Sequence, residues 1–145
     1  MVQLTSLPGL GDGSCRRLHP HEWLTAAQRA SRARALAVAL AHGVSVSADA
    51  VTVVLASRAW CEEFPPGVWS AEIVRQLLWL DLGTWCGEFD VELPDDAPMA
   101  LWAVLFAARS AGELTASELD DALAPLLDSS GFRLPGQGRG RRRAG

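Results

Sequence analysis

Of the six cysteine and histidine side chains in this sequence, types that bind a metal or attack an electrophile, five could be gathered at one site: Cys15, His19, His21, Cys61 and Cys86. Thiolates and imidazoles are the ligands zinc prefers, four to a structural site. Cys15, His19 and His21 lie close in sequence, and Cys61 and Cys86 would have to join them in space. No C-x-x-C pair is present, and His19-Pro20-His21 reads as a helix start. The expectation is therefore a solvated arm and two ordinary buried thiols, with no metal. Nucleophilic catalysis needs Ser or Cys beside a His and an orienting acid. The remaining histidine, His42, falls at an expected helix C-terminus, where an imidazolium is favourable. The stretch Gly9-Leu10-Gly11-Asp12-Gly13-Ser14 follows no strand and lacks a Lys, so it is not a phosphate loop. The chain has no Lys, Asn or Tyr, which excludes Schiff-base lysine chemistry, tyrosine acid–base chemistry and Asn amide roles. Asp95-Asp96 and Asp120-Asp121 read as a helix entry and a solvated helix face. No catalytic residue and no cofactor is expected.

Three other groups carry more information. Asp81 and Arg109 each fall on an otherwise apolar helical arc, and a buried charge is expensive unless paired. They are expected either to form a structural ion pair across two central helices or to reach solvent at helix ends. Of six tryptophans, Trp79 differs: on a helical wheel it lies with Glu72, Arg75 and Gln76 on the polar side. An exposed Trp among polar groups suits a protein interface, where aromatics and Arg are enriched. Near the C-terminus Arg139-Gly140-Arg141-Arg142-Arg143 is a compact basic cluster able to hold phosphates without reading sequence. A solubilising tail is the plainer reading.

The elements that must position these groups read as an all-α or mainly α domain of about five helices in a compact bundle, with at most one short β pairing. Residues 1–18 are Pro- and Gly-punctuated, an expected loose arm. Residues 19–130 form the helical domain, and residues 131–145 an Arg/Gly-rich tail expected to be disordered. The first helix is expected from Pro20 to about Ala41, stopping at Gly43. Ser47 is placed to cap a second element, Ala48 to Glu63, whose Val51-Thr52-Val53-Val54 run suits helix or strand. Ser70 opens the third helix, to about Trp85. Its apolar residues Ile73, Val74, Leu77, Leu78, Leu80 and Leu82 cover most of its circumference, as in a central helix. Glu88 to Leu93 alternates acid and apolar, the period of a half-buried strand, with Val44 and Val46 as the candidate partner segment. Asp96 and Pro98 begin the fourth helix, which Gly112 ends. Thr115 and Glu118 form a capping box for the fifth, with Leu114 and Leu119 as its hydrophobic staple. Pro125 is expected to kink or shorten that helix.

Composition bounds the function classes. About half the residues are apolar and 21% charged, which is globular rather than disordered. All thirteen basic residues are Arg. The missing residue types share AT-rich codons, so a GC-rich genome explains the bias. Three scattered cysteines fit a reducing cytosol. The N-terminus lacks the basic and apolar regions of a signal peptide. The longest uncharged apolar stretch, Ala97 to Ala108, is 12 residues, against roughly 20 for a bilayer span. The net charge of −4 is unevenly laid out. Residues 1–58 hold six Arg and three acids, residues 59–128 two Arg and fourteen acids, and residues 129–145 five Arg and no acid.

Val68-Trp69, Arg75-Gln76-Leu77-Leu78-Trp79, Trp85-Cys86, Leu101-Trp102 and Gly112-Glu113-Leu114 resemble small uncharacterised accessory proteins of actinobacterial, Streptomyces-type plasmids and integrative elements. The resemblance covers about residues 64–134 and implies an accessory role in maintenance, regulation or transfer (spread) of a mobile element. It supplies no catalytic residues. The expectation is a cytoplasmic, non-enzymatic accessory or regulatory protein that acts through protein contacts, with Glu72, Arg75, Gln76 and Trp79 as its partner-binding residues. The rival is a sequence-nonspecific nucleic-acid binder using Arg29 and Arg32 of the first helix with Arg139, Arg141, Arg142 and Arg143 of the tail.

Overall fold

In the computed structural model, which describes residues 24–60 and 67–128, four of five helices open on a hydroxyl residue. Helix α1 (Ala26–Ala41) has a Thr25/Gln28 capping box: the Gln28 N–H donates to Thr25 Oγ1 at 3.1 Å, and the Thr25 N–H to Gln28 Oε1 at 2.7 Å. Helix α2 (Ala48–Trp60) is capped by Ser47, whose Oγ accepts from the Ala50 N–H. Helix α3 begins at Ala71, with Ser70 Oγ accepting from Ile73. Helix α5 (Ala116–Asp128) has the expected Thr115/Glu118 box, with both bonds present. Such caps contribute about 1 kcal/mol each. Helix α4 (Ala97–Ser110) starts differently. Asp96 occupies its N-cap position but turns its carboxylate away, accepting from the Ser47 N–H at 2.8 Å. The acid at the mouth of α4 thus ties down the mouth of α2.

Three helices end on the same device, a left-handed residue after the last turn that lets the next two N–H groups reach back. In α1 it is Gly43 (φ +70°), with Val44 N–H to Ala39 O and Gly43 N–H to Leu40 O. In α4 it is Gly112 (φ +81°), with Glu113 N–H to Ala108 O. In α3 it is Asp90 (φ +56°), with Val91 N–H to Cys86 O at 2.9 Å.

That last ending corrects the expected strand. Glu88–Phe89 is the end of α3, Asp90 its left-handed terminator, and Val91 the apolar residue that folds back on the core. A helix end followed by this turn produces the same alternation of acid and apolar residues as a strand. No strand forms among the described residues, and Val44 and Val46 pack on the core as loop. The helix at 71–89 also runs past its expected end near Trp85. Helix α1 begins later than expected, at Ala26. Its expected start at Pro20 lies outside the described residues, as do the 1–18 arm and the 131–145 tail. Helix α5 continues through the buried Pro125 for three more residues.

The centre of the molecule is α2 together with α4, not α3 as expected. Every residue from Ala50 to Arg58 is buried, and α2 packs on α1, α3 and α4. Helix α1 lies along α4, and α5 packs on α4 and on the first turns of α3. The β-branched run Val51–Val54 is helical because burial outweighs propensity. Burying a Val contributes about 1.5–3 kcal/mol, whereas its helix penalty is below about 0.7 kcal/mol. The buried Thr52 is satisfied twice: its Oγ1 donates to Ala48 O and accepts from Arg32 Nη1 at 2.7 Å. Among the described residues no helix is long and apolar enough to cross a membrane.

Candidate interaction site

Helix α3 changes pitch halfway. It runs as an α-helix from Ala71 to Gln76, as a π turn from Leu77 to Asp81, and again as an α-helix from Leu82 to Phe89. The Leu82 N–H reaches back five residues to Leu77 O, which defines a π turn. The sequence dictates this. The buried side chains are Ile73, Val74 and Leu77, then Leu82, Trp85 and Cys86, with Phe89 packed beside them. Among the buried side chains every step is one or three except the step of five from Leu77 to Leu82, within which only the partly buried Leu78 touches the core. In an unbroken α-helix Leu82 would turn away from the core and Asp81 would take its place. One extra residue in the turn keeps both apolar segments facing inward and moves Asp81 off the buried stripe.

The same turn carries the surface group. Trp79 is 71% exposed and its neighbour Leu80 57%. Glu72 and Arg75 are exposed and Gln76 is half-buried. Positions 72, 75, 76 and 79 follow the three-and-four spacing of one helix face, so the polar groups and the indole lie along a single strip. Gln76 Nε2 donates to Asp81 Oδ2 at 3.3 Å. Residues five apart lie on different sides of a regular α-helix, so this bond depends on the π turn. The wheel located Trp79 but counted Leu80 among the core residues, because a wheel drawn at constant pitch misplaces everything after the bulge. The detectable signal was Asp81 on the apolar arc.

Of the two alternatives for Asp81 and Arg109, the ion pair does not form, and Arg109 is exposed in the last turn of α4. Asp81 is bonded to Gln76, and the exposed Arg109 donates from Nη1 to Leu114 O at 3.3 Å. The physical reason is packing: α3 and α4 share α2 and α5 as neighbours instead of lying broadly against each other. The arginines of α1 are likewise engaged within the fold. Arg29 Nη1 donates to Leu24 O at 2.8 Å, Arg32 to buried Thr52, and Arg34 to Ser31 with a 3.6 Å ion pair to Glu113. Arg139, Arg141, Arg142 and Arg143 lie outside the described residues.

Of the sulfur and imidazole groups, Cys15, His19, His21 and Cys61 also lie outside the described residues. Cys86 is buried in the core, and that burial pushes its thiol up from the ordinary value. At neutral pH it is a protonated thiol, the inert form. His42 occupies the C-cap position of α1, where Nδ1 faces Val38 O at 3.0 Å and the ring meets Trp102 and Phe106 edge-on at 5.3 and 5.6 Å. Its contacts are those of a helix stop packed on α4. In comparison with known proteins, the chain matches no family model, no curated protein and no solved structure.

Proposed function

We propose that this protein is a non-enzymatic accessory or regulatory protein that acts by holding a protein partner on the α3 strip, within the maintenance or transfer of a mobile element. The observation that carries the reading is Trp79, 71% exposed beside a 57% exposed Leu80 on a π turn. An indole left in water forgoes about 1.5–3 kcal/mol of burial, and π turns are frequent at functional sites. Glu72, Arg75 and Gln76 supply a polar rim, so the strip has the composition of an interface hot spot. The nucleic-acid rival draws less support, because Arg29 and Arg32 each already hold a partner within the fold, Leu24 O and Thr52 Oγ1. In addition, Gly67 to Asp128 holds twelve acids against two Arg, a surface that repels phosphate.

The test is a photo-crosslinking residue in place of Trp79 in the native host, followed by affinity measurements on the purified partner. Trp79→Ala is expected to keep its thermal midpoint and to weaken the partner by about 2 kcal/mol or more, roughly 30-fold. An unchanged affinity overturns the reading. For the rival, gel shifts over a salt series with and without residues 136–145 are decisive. Binding that falls steeply with salt and needs the tail establishes phosphate contacts.

A further inference from the structure

The solvent side of α3 holds two rows of residues four apart: Arg75, Trp79, Gly83 and Gly87, and beside them Leu80, Thr84 and Glu88. Trp79 and Leu80 form an exposed apolar ridge. Gly83 and Gly87 form a bare floor in the turns that follow. Both glycines are exposed inside the helix, neither has a positive φ, and a Cβ on either meets nothing within 4 Å. The described fold therefore has no use for them, although Gly is a poorer helix former than any residue but Pro. The charges around this floor are acidic. Glu88, Asp90 and Glu92 are exposed beyond it and the half-buried Asp81 lies before it, while Arg75, one turn from Glu72, is the one cation of α3. Helix α5, packed on the first turns of α3, adds Glu118, Asp120, Asp121 and Asp128 and no base. Glu88 stands in the last turn of α3, which has no basic residue. The negative end of a helix dipole favours a cation at that place.

We propose that the partner of the α3 strip contributes one basic amphipathic helix, apolar where it meets Trp79 and Leu80, packed closely over Gly83 and Gly87, and carrying Arg or Lys beside Glu88. The inference rests on the strip being a protein interface and names what fills it. The geometry selects a helix. Residues four apart make the ridges and grooves along which helices interlock. Without Cβ atoms at 83 and 87 a groove one turn long opens beside the ridge of Trp79 and Leu80, and glycine there permits close approach of another backbone. The charge selects a basic helix. An acidic segment is repelled by Glu88, Asp90, Glu92 and α5. A cation beside Glu88 meets both that carboxylate and the dipole end of α3, and it is the cation that the last turn of α3 lacks. A second copy of α3 is the wrong occupant, because it brings one Arg against Glu72, Asp81 and Glu88.

The experiment uses the full chain and the protein that a photo-crosslinking residue at Trp79 captures in the native host. No capture there removes the interface reading itself, and this inference with it. With that protein purified, the same crosslinker at the exposed Thr84 marks the segment seated by the glycines, read by mass spectrometry of the joined peptides. The expected segment has apolar residues three and four apart and more Arg and Lys than acids. Gly83→Leu and Gly87→Leu are expected to keep or raise the thermal midpoint, since Leu is the better helix former. Both are expected to weaken the partner by about tenfold or more, because bulk on the groove floor parts the two helices. Glu88→Arg is expected to weaken it about tenfold at low salt, with the gap closing as salt screens the contact. Four results overturn the inference while the interface reading stands, provided the partner still binds through Trp79: no crosslink from Thr84, an acidic or non-helical segment joined to it, native affinity in both leucine variants, or affinity undiminished by Glu88→Arg.

Discussion

Helix α3 is read from sequence as apolar on most of its circumference and α2 only as a helix or a strand, yet it is α2 that the fold buries on every side. Helix α2 is surrounded: α1, α3 and α4 cover it, and its nine residues from Ala50 to Arg58 are all buried. Helix α3 is covered on one side by α2 and α5 and shows Trp79 and Leu80 to solvent. The difference lies in side-chain size and phase. The buried stretch of helix α2 is mostly Ala, Val, Thr and Ser, with Leu55 and Arg58 as its larger members, so neighbours approach on every side. Helix α3 carries Leu and Trp in two segments that are out of phase by one residue, and the π turn that brings them into phase leaves Trp79 and Leu80 in solvent while Leu78 still packs on the core. An all-round apolar wheel therefore describes either a central helix or a one-sided helix with a bulge.

The largest test of this comparison is a pair of single-residue deletions. Removing Leu80 makes the Leu77–Leu82 step four residues, so α3 is expected to become a regular α-helix with both segments still inward. Folding should survive with a modest loss. Removing Val53 turns everything after it in α2 by about 100°. Arg58 then leaves Val68 and Trp69, and a buried cation without partners costs several kcal/mol, so this chain is expected not to fold. Circular dichroism melts of both deletions check it. If the Leu80 deletion unfolds as completely as the Val53 deletion, the phase-correction account of the π turn is wrong.

Most of the fold was legible in the sequence because caps are local. Ser47, Ser70, Thr115 with Glu118, Gly43 and Gly112 each announce a boundary through chemistry within four residues, and each functions as expected. The Thr25/Gln28 box was equally legible and was passed over for Pro20. The failures share a different origin. Whether Val51–Val54 is helix or strand, and which helix is central, depend on what packs against them, and no local pattern states that. The 88–93 alternation failed because an aspartate took the left-handed position that Gly holds in α1 and α4. At the candidate site Trp79 is legible from constant-pitch spacing, Leu80 is not, and Asp81 stands out as an anomaly whose two readings, an ion pair or a helix end in solvent, both miss the change of pitch.

A smaller effect sharpens the picture of α2 as a helix with no solvent side. Ser57 is fully buried, and its Oγ has no hydrogen-bond partner among the described residues. An unsatisfied buried hydroxyl costs about 1–3 kcal/mol, and Ala is the better helix former. Ser57→Ala is expected to raise stability by about 1 kcal/mol, read as a higher urea midpoint with an unchanged slope. Lower stability would mean that the hydroxyl is held after all.

The smallest effect reads the buried side of α3 through pH. Burial raises the Cys86 thiol above its ordinary value of 9.0, because the low-dielectric core disfavours thiolate. Below 9.0 the thiol is protonated in both the folded and the unfolded chain, and its contribution to stability is fully present. As the pH rises through that value the unfolded chain releases a proton that the folded chain retains, so stability falls until the raised folded value is passed. The composition makes this limb clean. With no Lys and no Tyr, the thiols and the terminal amine are the groups that titrate between about pH 8 and pH 11. Cys86→Ala leaves Cys15 and Cys61 in place and removes the Cys86 thiol alone. Urea midpoints measured between pH 8 and pH 10 are expected to fall more steeply for the native chain than for Cys86→Ala, although the variant starts lower through the cavity it leaves. Parallel slopes would show that the Cys86 side of α3 admits water, and with it that the inner face of this helix is not the dry counterpart of its Trp79 face.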